Sequence, residues 1–166
     1  GSDGDFTFQN IKLEGVTYAW KYDSQNNYWK ASAFAGGVNN PTESWLVSTE
    51  IDLSGATTPS LSFDAAINFL NGNNRADFIE AKISADYVDN VTTATWATLN
   101  ATWSEGKNWT FVNSGAIDLK DYVGKKVRLA FAYKSTSACA PTIEIKNISV
   151  TEPKNGYYAD VYLYKE

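Results

Sequence analysis

Apolar and polar side chains alternate strictly over stretches that recur from one end of this chain to the other, and this limits its folding more than any other feature. In "VRLAFAYK", Val127, Leu129, Phe131 and Tyr133 fall on one side, and Arg128, Ala130, Ala132 and Lys134 on the other. A repeat of two belongs to an extended strand with one face on a core, because successive strand side chains point to opposite faces. "LSFDAAINF" groups Leu61, Phe63, Ala65, Ile67 and Phe69 in the same way. "FIEAKISADY" sets Ile79, Ala81, Ile83, Ala85 and Tyr87 against Glu80, Lys82, Ser84 and Asp86. Helical periodicity is hard to find anywhere. Further strands are expected over 5–9, 16–21, 28–34, 44–51, 95–99, 109–118 and 157–164, with Pro, Gly, Asn and Ser clusters between them as turns. Many short strands parted by turns predict an all-β protein, an antiparallel two-sheet β-sandwich rather than a βαβ fold.

Two details sharpen the pattern. In "TIEIKNISV" the apolar positions switch parity, from Ile143 and Ile145 to Ile148 and Val150, which a strand accommodates by inserting one residue; a β-bulge is expected near Lys146 and Asn147. "IDLSGATTPSLSFDAAI" and "IDLKDYVGKKVRLAFAYKS" both follow an "IDL" strand end with a short return into a long core strand, so the chain is expected to solve two corners alike. In the second copy, Asp121 to Gly124 reads as one helical turn closed by Gly, which tolerates a left-handed backbone.

With 166 residues, 43% hydrophobic and 14% aromatic, the chain can bury one sizeable core. A single domain over 1–166 is expected, its core about 5–150, with 151–166 as a C-terminal strand or linker. Tyr157, Ala159, Val161 and Leu163 give that tail an apolar face suited to packing. Histidine is absent and the one cysteine, Cys139, sits between Ala138 and Ala140. This inventory removes Cys/His zinc sites and Ser-His or Cys-His catalysis, and Cys139 reads as a small buried thiol. The net charge of -5 and scattered Lys and Arg give no footprint for nucleic acid. No apolar run is long enough for a transmembrane segment, and no export signal is read in this chain.

The blocks "YWKASAFAGGVNNPTESWLVSTEIDLSGATTPSLSFDAAI", "FIEAKIS", "IDLKDYVGKKVRLAFAYKS" and "IEIKNISV" resemble the cleaved-adhesin or choice-of-anchor-J family of bacterial surface and secreted proteins, over about residues 16–150. The resemblance implies a jelly roll of the galactose-binding-like type without catalysis. It implies adhesion, or binding of carbohydrate or a cell-surface protein, by a domain secreted or attached to the outer-membrane surface, often as a lipoprotein of Bacteroidetes such as Bacteroides. In many relatives an acidic residue near the first strand and an Asp in the closing strand help hold calcium. The corresponding places here read Gln9 and Lys146, and an ammonium cannot ligate calcium. No cofactor is therefore expected, the family's calcium site being lost, although calcium held by other oxygens stays open.

The six tryptophans carry the functional signal. Sugar rings stack flat C–H faces on indole, while their hydroxyls need amides, carboxylates or guanidinium nearby. Trp45 and Trp96 have strand spacing and are expected in the core. The loops offer three candidate binding clusters: Trp29 with Asn26 and Asn27; Asn71, Asn73, Asn74 and Arg75; and Trp103 with Trp109 around Glu105, Gly106 and Lys107. Binding of glycan or a surface protein is expected through these loops at one end of the sandwich, the oligomeric state being left open. The 70–77 loop lacks the spacing of a calcium loop and reads as a plain polar loop. Two alternatives stand beside binding. One is an inert spacer. The other is a jelly-roll glycosidase, which needs paired carboxylates; here Glu80 faces Lys82 and Glu144 faces Lys146, and such partners keep an acid ionised.

Overall fold

The computed structural model describes residues 6–154 and 157–162. Two antiparallel sheets face each other. The first has the order β1 (Phe6–Leu13), β6 (Thr42–Ser48), β13 (Lys126–Ser135), β9 (Ile79–Ser84) and β10 (Ala97–Thr98), with β7 (Ile51–Asp52) on the start of β13. The second runs β11 (Val112–Asn113), β8 (Ser60–Asn68), β14 (Thr142–Lys154), β3 (Tyr28–Ala31) and β2 (Trp20–Asp23). In it β12 (Ile117–Asp118) adds to β8, and β15 (Tyr157–Tyr162) to β14. A small hairpin, β4 (Phe34–Ala35) and β5 (Val38–Asn39), stands apart.

The alternation decides the core. Val127, Leu129, Phe131 and Tyr133 from one sheet are buried against Leu61, Phe63, Ala65, Ile67, Ile143 and Ile145 of the other. Phe63 and Phe131 meet edge to face across the interior, their centroids 5.0 Å apart. Two polar links cross the interior as well. The Trp20 indole N–H donates to the Ser44 carbonyl at 2.9 Å. The Tyr133 hydroxyl donates to Pro141 O at 2.7 Å and accepts from Ala33 N–H at 3.1 Å.

The parity switch is a bulge: the β8–β14 register shifts between Lys146 and Ser149, Asn147 takes φ 54°, and both Ile148 and Val150 stay buried. The second corner contains a 3-10 turn, Lys120–Tyr122, with Gly124 at φ 84°. The two corners also serve each other. The "IDL" of the first pairs with the strand that follows the second, Ile51 opposite Val127, and the "IDL" of the second pairs with the strand that follows the first, Ile117 opposite Leu61. Leu53 N–H donates to Lys125 O and Gly124 N–H to Leu53 O, both at 2.8 Å, and Leu119 N–H donates to Pro59 O at 2.9 Å.

Three expectations need correction. Phe69 does not continue the β8 apolar row: the strand ends at Asn68, and φ 67° at Phe69 turns its ring outward. The β9 row stops at Ser84, leaving Ala85 exposed and sending Tyr87 onto the outside of the first sheet. That outer face is also not bare. Trp45, Val47, Val91, Ala130 and Ala132 form a second cluster there under Tyr87 and Trp96, with Lys82 over the Trp45 ring and Arg128 over Tyr87. Trp45 is thus buried as expected, but in this outer cluster, and half-buried Trp96 lies in a loop, since the expected 95–99 strand shrinks to β10. At the tail, β15 pairs with β14, and the packing of its expected apolar face falls outside the described residues.

Candidate functional site

Trp29 is the clearest departure from the expected binding clusters. Its place on β3 aims the indole inward, where it is 0% exposed among Phe6, Phe8 and Tyr22, with ring centroids 5.0 to 5.6 Å away. It is a core residue and presents no face to a ligand. Asn26 and Asn27 are exposed but build the β2–β3 turn. Asp23 accepts Gln25 N–H at 3.0 Å and Asn26 N–H at 3.1 Å on one oxygen and the Asn26 side-chain amide at 2.9 Å on the other. These bonds, the Asn26 amide foremost, hold the Asp23 carboxyl below its ordinary value. Asn27, at φ 55°, accepts from the Tyr22 hydroxyl at 3.4 Å.

The other two clusters merge into one. Asn74 caps the turn Arg75–Asp77, Asn73 donates to Leu70 O at 2.8 Å, and Asn71, at φ 54°, opens the turn completed by Gly72. Arg75 donates to Ile79 O at 2.7 Å and to Glu80 at 2.8 Å, and its guanidinium lies 5.0 Å over the Trp103 ring. The partner of Glu80 is therefore Arg75 rather than Lys82, whose ammonium donates to Thr98 at 2.9 Å. Trp103 is half-buried on Phe63, so it closes the core more than it opens a site. Gly106, at φ 87°, sits so close that a Cβ there would stand 2.3 Å from a Leu70 methyl, which joins the two loops. Trp109 is 42% exposed and meets Phe69, 52% exposed, edge to face at 5.6 Å. Both stand at positive φ, a conformation that costs a bulky residue of order 1–3 kcal/mol. The β2–β3 turn points the opposite way along the sandwich from these loops, because β2 and β8 both run antiparallel to their inner neighbours β3 and β14. The candidate residues do not share one end.

A groove of about 1060 Å³ lies elsewhere, along β2, the edge strand of the second sheet. Its walls include Tyr18, Lys21, Asp23, Gln25, Lys30 and Phe34. Tyr18 and Phe34 are 54% and 56% exposed. The sequence reading placed both in strands, 16–21 and 28–34. The β2–β3 ladder ends at Ser32, whose N–H still donates to Ala19 O; Ala33 N–H donates instead to the Tyr133 hydroxyl, after which Phe34 stands outward in β4. No local signal in the sequence reports that distant partner.

Outside the groove, the second sheet's outer face is occupied. Glu144 is buried beside Tyr28, and desolvation together with that carboxylate pushes the Tyr28 hydroxyl up to about 12. Lys146 lies 4.1 Å over Phe111 instead of serving Glu144. Asp64 accepts the amides of Asn113 and Asn147 at 2.9 and 2.8 Å. Gln9 projects from the outside of the first sheet, donating to Asp89 O and accepting Val91 N–H. Gln9 and Lys146 thus face away from each other on opposite sheets, and the pair does not fit a calcium ion. Burial raises the Cys139 thiol above its ordinary value, in keeping with an inert thiol.

No protein-family model and no curated protein matches the sequence. Solved structures do. A cleaved adhesin domain of Lys-gingipain from Porphyromonas gingivalis superposes with a TM-score of 0.58 at 14% identity, over 91% of this chain and 92% of that one. A second cleaved adhesin domain of Lys-gingipain gives 0.54 at 17% identity, over 87% of each chain. The chain has the cleaved-adhesin fold. A structure of carbohydrate-binding modules from the β-sandwich superfamily gives 0.51 at 13% identity over 90% of this chain and 58% of that one. The jelly-roll arrangement expected from the sequence is thus shared with cleaved adhesin domains.

Proposed function

We propose that this domain binds glycans without catalysis, in the groove along β2. One observation carries the reading: two aromatic rings, Tyr18 and Phe34, are held exposed on the walls of a groove that also presents ammonium, amide and hydroxyl groups. Stacking ring faces plus directional donors is the pairing a sugar needs. The adhesin and carbohydrate-binding-module neighbours support it at the level of fold. Among the groove-lining residues Asp23 is the single carboxylate, and its lowered pKa suits a turn anchor and not a general acid; glycoside hydrolysis requires two acids with separated roles.

The test is affinity electrophoresis of the whole chain through gels containing a panel of polysaccharides. Retardation by at least one polymer, lost in Tyr18→Ala and Phe34→Ala with melting temperature unchanged, is the expected result. Migration unaffected by every polymer overturns the reading. A protein partner is the second reading, and the strained Phe69–Trp109 pair favours it, since an exposed edge-to-face pair is an anchor of the kind found in protein interfaces. Trp109→Ala separates the two, because it leaves the groove intact.

A further inference from the structure

We infer that the β2 groove selects anionic glycans, polymers carrying carboxylate or sulfate groups. The inference rests on the glycan reading above and narrows its ligand class. Lys21 on β2 and Lys30 on β3 stand directly opposite each other in the register, and both line the groove. Like charges directly opposed across two strands destabilise a sheet. Among the described residues, neither ammonium has an ion pair or a hydrogen bond to offset this.

Among the described residues, neither nearby carboxylate forms an ion pair with the two lysines. Glu144 is opposite Lys30 on the other side of β3, yet it is buried beside Tyr28 and makes no ion pair with the lysine. Asp23 spends both its oxygens on the turn at Gln25 and Asn26. The two cations therefore stand opposite each other in a groove that also carries exposed aromatic rings, in a chain whose net charge is -5. A sugar acid satisfies both features at once, its ring on Tyr18 or Phe34 and its anionic group between the two ammoniums. A neutral sugar would bring no counter-charge to the pair.

The experiment compares retardation of the whole chain by polygalacturonate, dextran sulfate, neutral galactan and polyglutamate. Expected is retardation by polygalacturonate or dextran sulfate at least ~10-fold stronger than by galactan, weakening as salt is raised, since exposed charge attraction is screened. Whichever of the two binds more tightly identifies carboxylate or sulfate as the group read. The double variant Lys21→Gln/Lys30→Gln should lose that preference while its melting temperature stays equal or rises, because removing a like-charge pair does not weaken the sheet. Equal retardation by galactan overturns the inference and leaves glycan binding standing. No retardation by any polysaccharide overturns both. Retardation by polyglutamate as strong as by polygalacturonate, or an anionic preference that survives the double variant, also overturns it.

Discussion

At Trp29 the indole is enclosed by Phe6, Phe8 and Tyr22, so Trp29→Ala is expected to cost ~3–5 kcal/mol through lost contacts and the cavity left behind. Its N–H is the one buried side-chain N or O atom without a hydrogen-bond partner among the described residues. Trp29→Phe therefore forfeits bulk but no hydrogen bond, and should cost markedly less. Denaturant melts of the two variants check this, and a Trp29→Ala chain as stable as the parent would contradict the placement. The same residue type at 109 does the opposite, resting in the open on Phe69. Sequence separated them poorly. Asn26 and Asn27 beside Trp29 suggested a loop, when those amides in fact form the turn and Trp29 begins the inward row of the next strand.

Between elements, the joined loops 69–77 and 101–111 depend on close approach at Gly106. A Cβ added there would overlap the Leu70 side chain, and φ 87° is strained for any other residue. Gly106→Ala is expected to lower stability by about 1–3 kcal/mol and to part Phe69 from Trp109, seen as a shift in Trp fluorescence. The β2 groove should be unaffected, so glycan retardation would persist. Strand centres and the bulge at Asn147 were legible because burial imposes a period of two and a parity switch betrays an extra residue. Strand ends were not. Phe34 and Phe69 both fall within expected strands, yet both turn outward, Phe34 after Ala33 N–H has gone to Tyr133 and Phe69 at φ 67° with its N–H on the Asn68 side chain. The exposed aromatic rings that matter most for binding arose at those illegible ends.

Across the whole molecule, two tyrosines tie stability to alkaline pH. Burial raises Tyr133, and burial with Glu144 raises Tyr28, from the ordinary value of 10.0. Below 10.0 both folded and unfolded chains keep these protons and the contribution is intact. As pH climbs further, the unfolded chain sheds protons that the folded chain retains, so stability falls, through about 12 for Tyr28. Melting temperatures should therefore decline across this window, and less steeply in Tyr133→Phe; an unchanged slope in that variant would remove Tyr133 from the account. The reciprocal corners bear on how such a chain assembles. Each "IDL" waits for the strand that belongs to the other, so neither corner is complete until β8 and β13, in different sheets, have both arrived. Closing such long loops is slow. The clasp couples the two sheets, so amide protons at Leu53 and Leu119 are expected to exchange with solvent at similar rates in a hydrogen-exchange measurement.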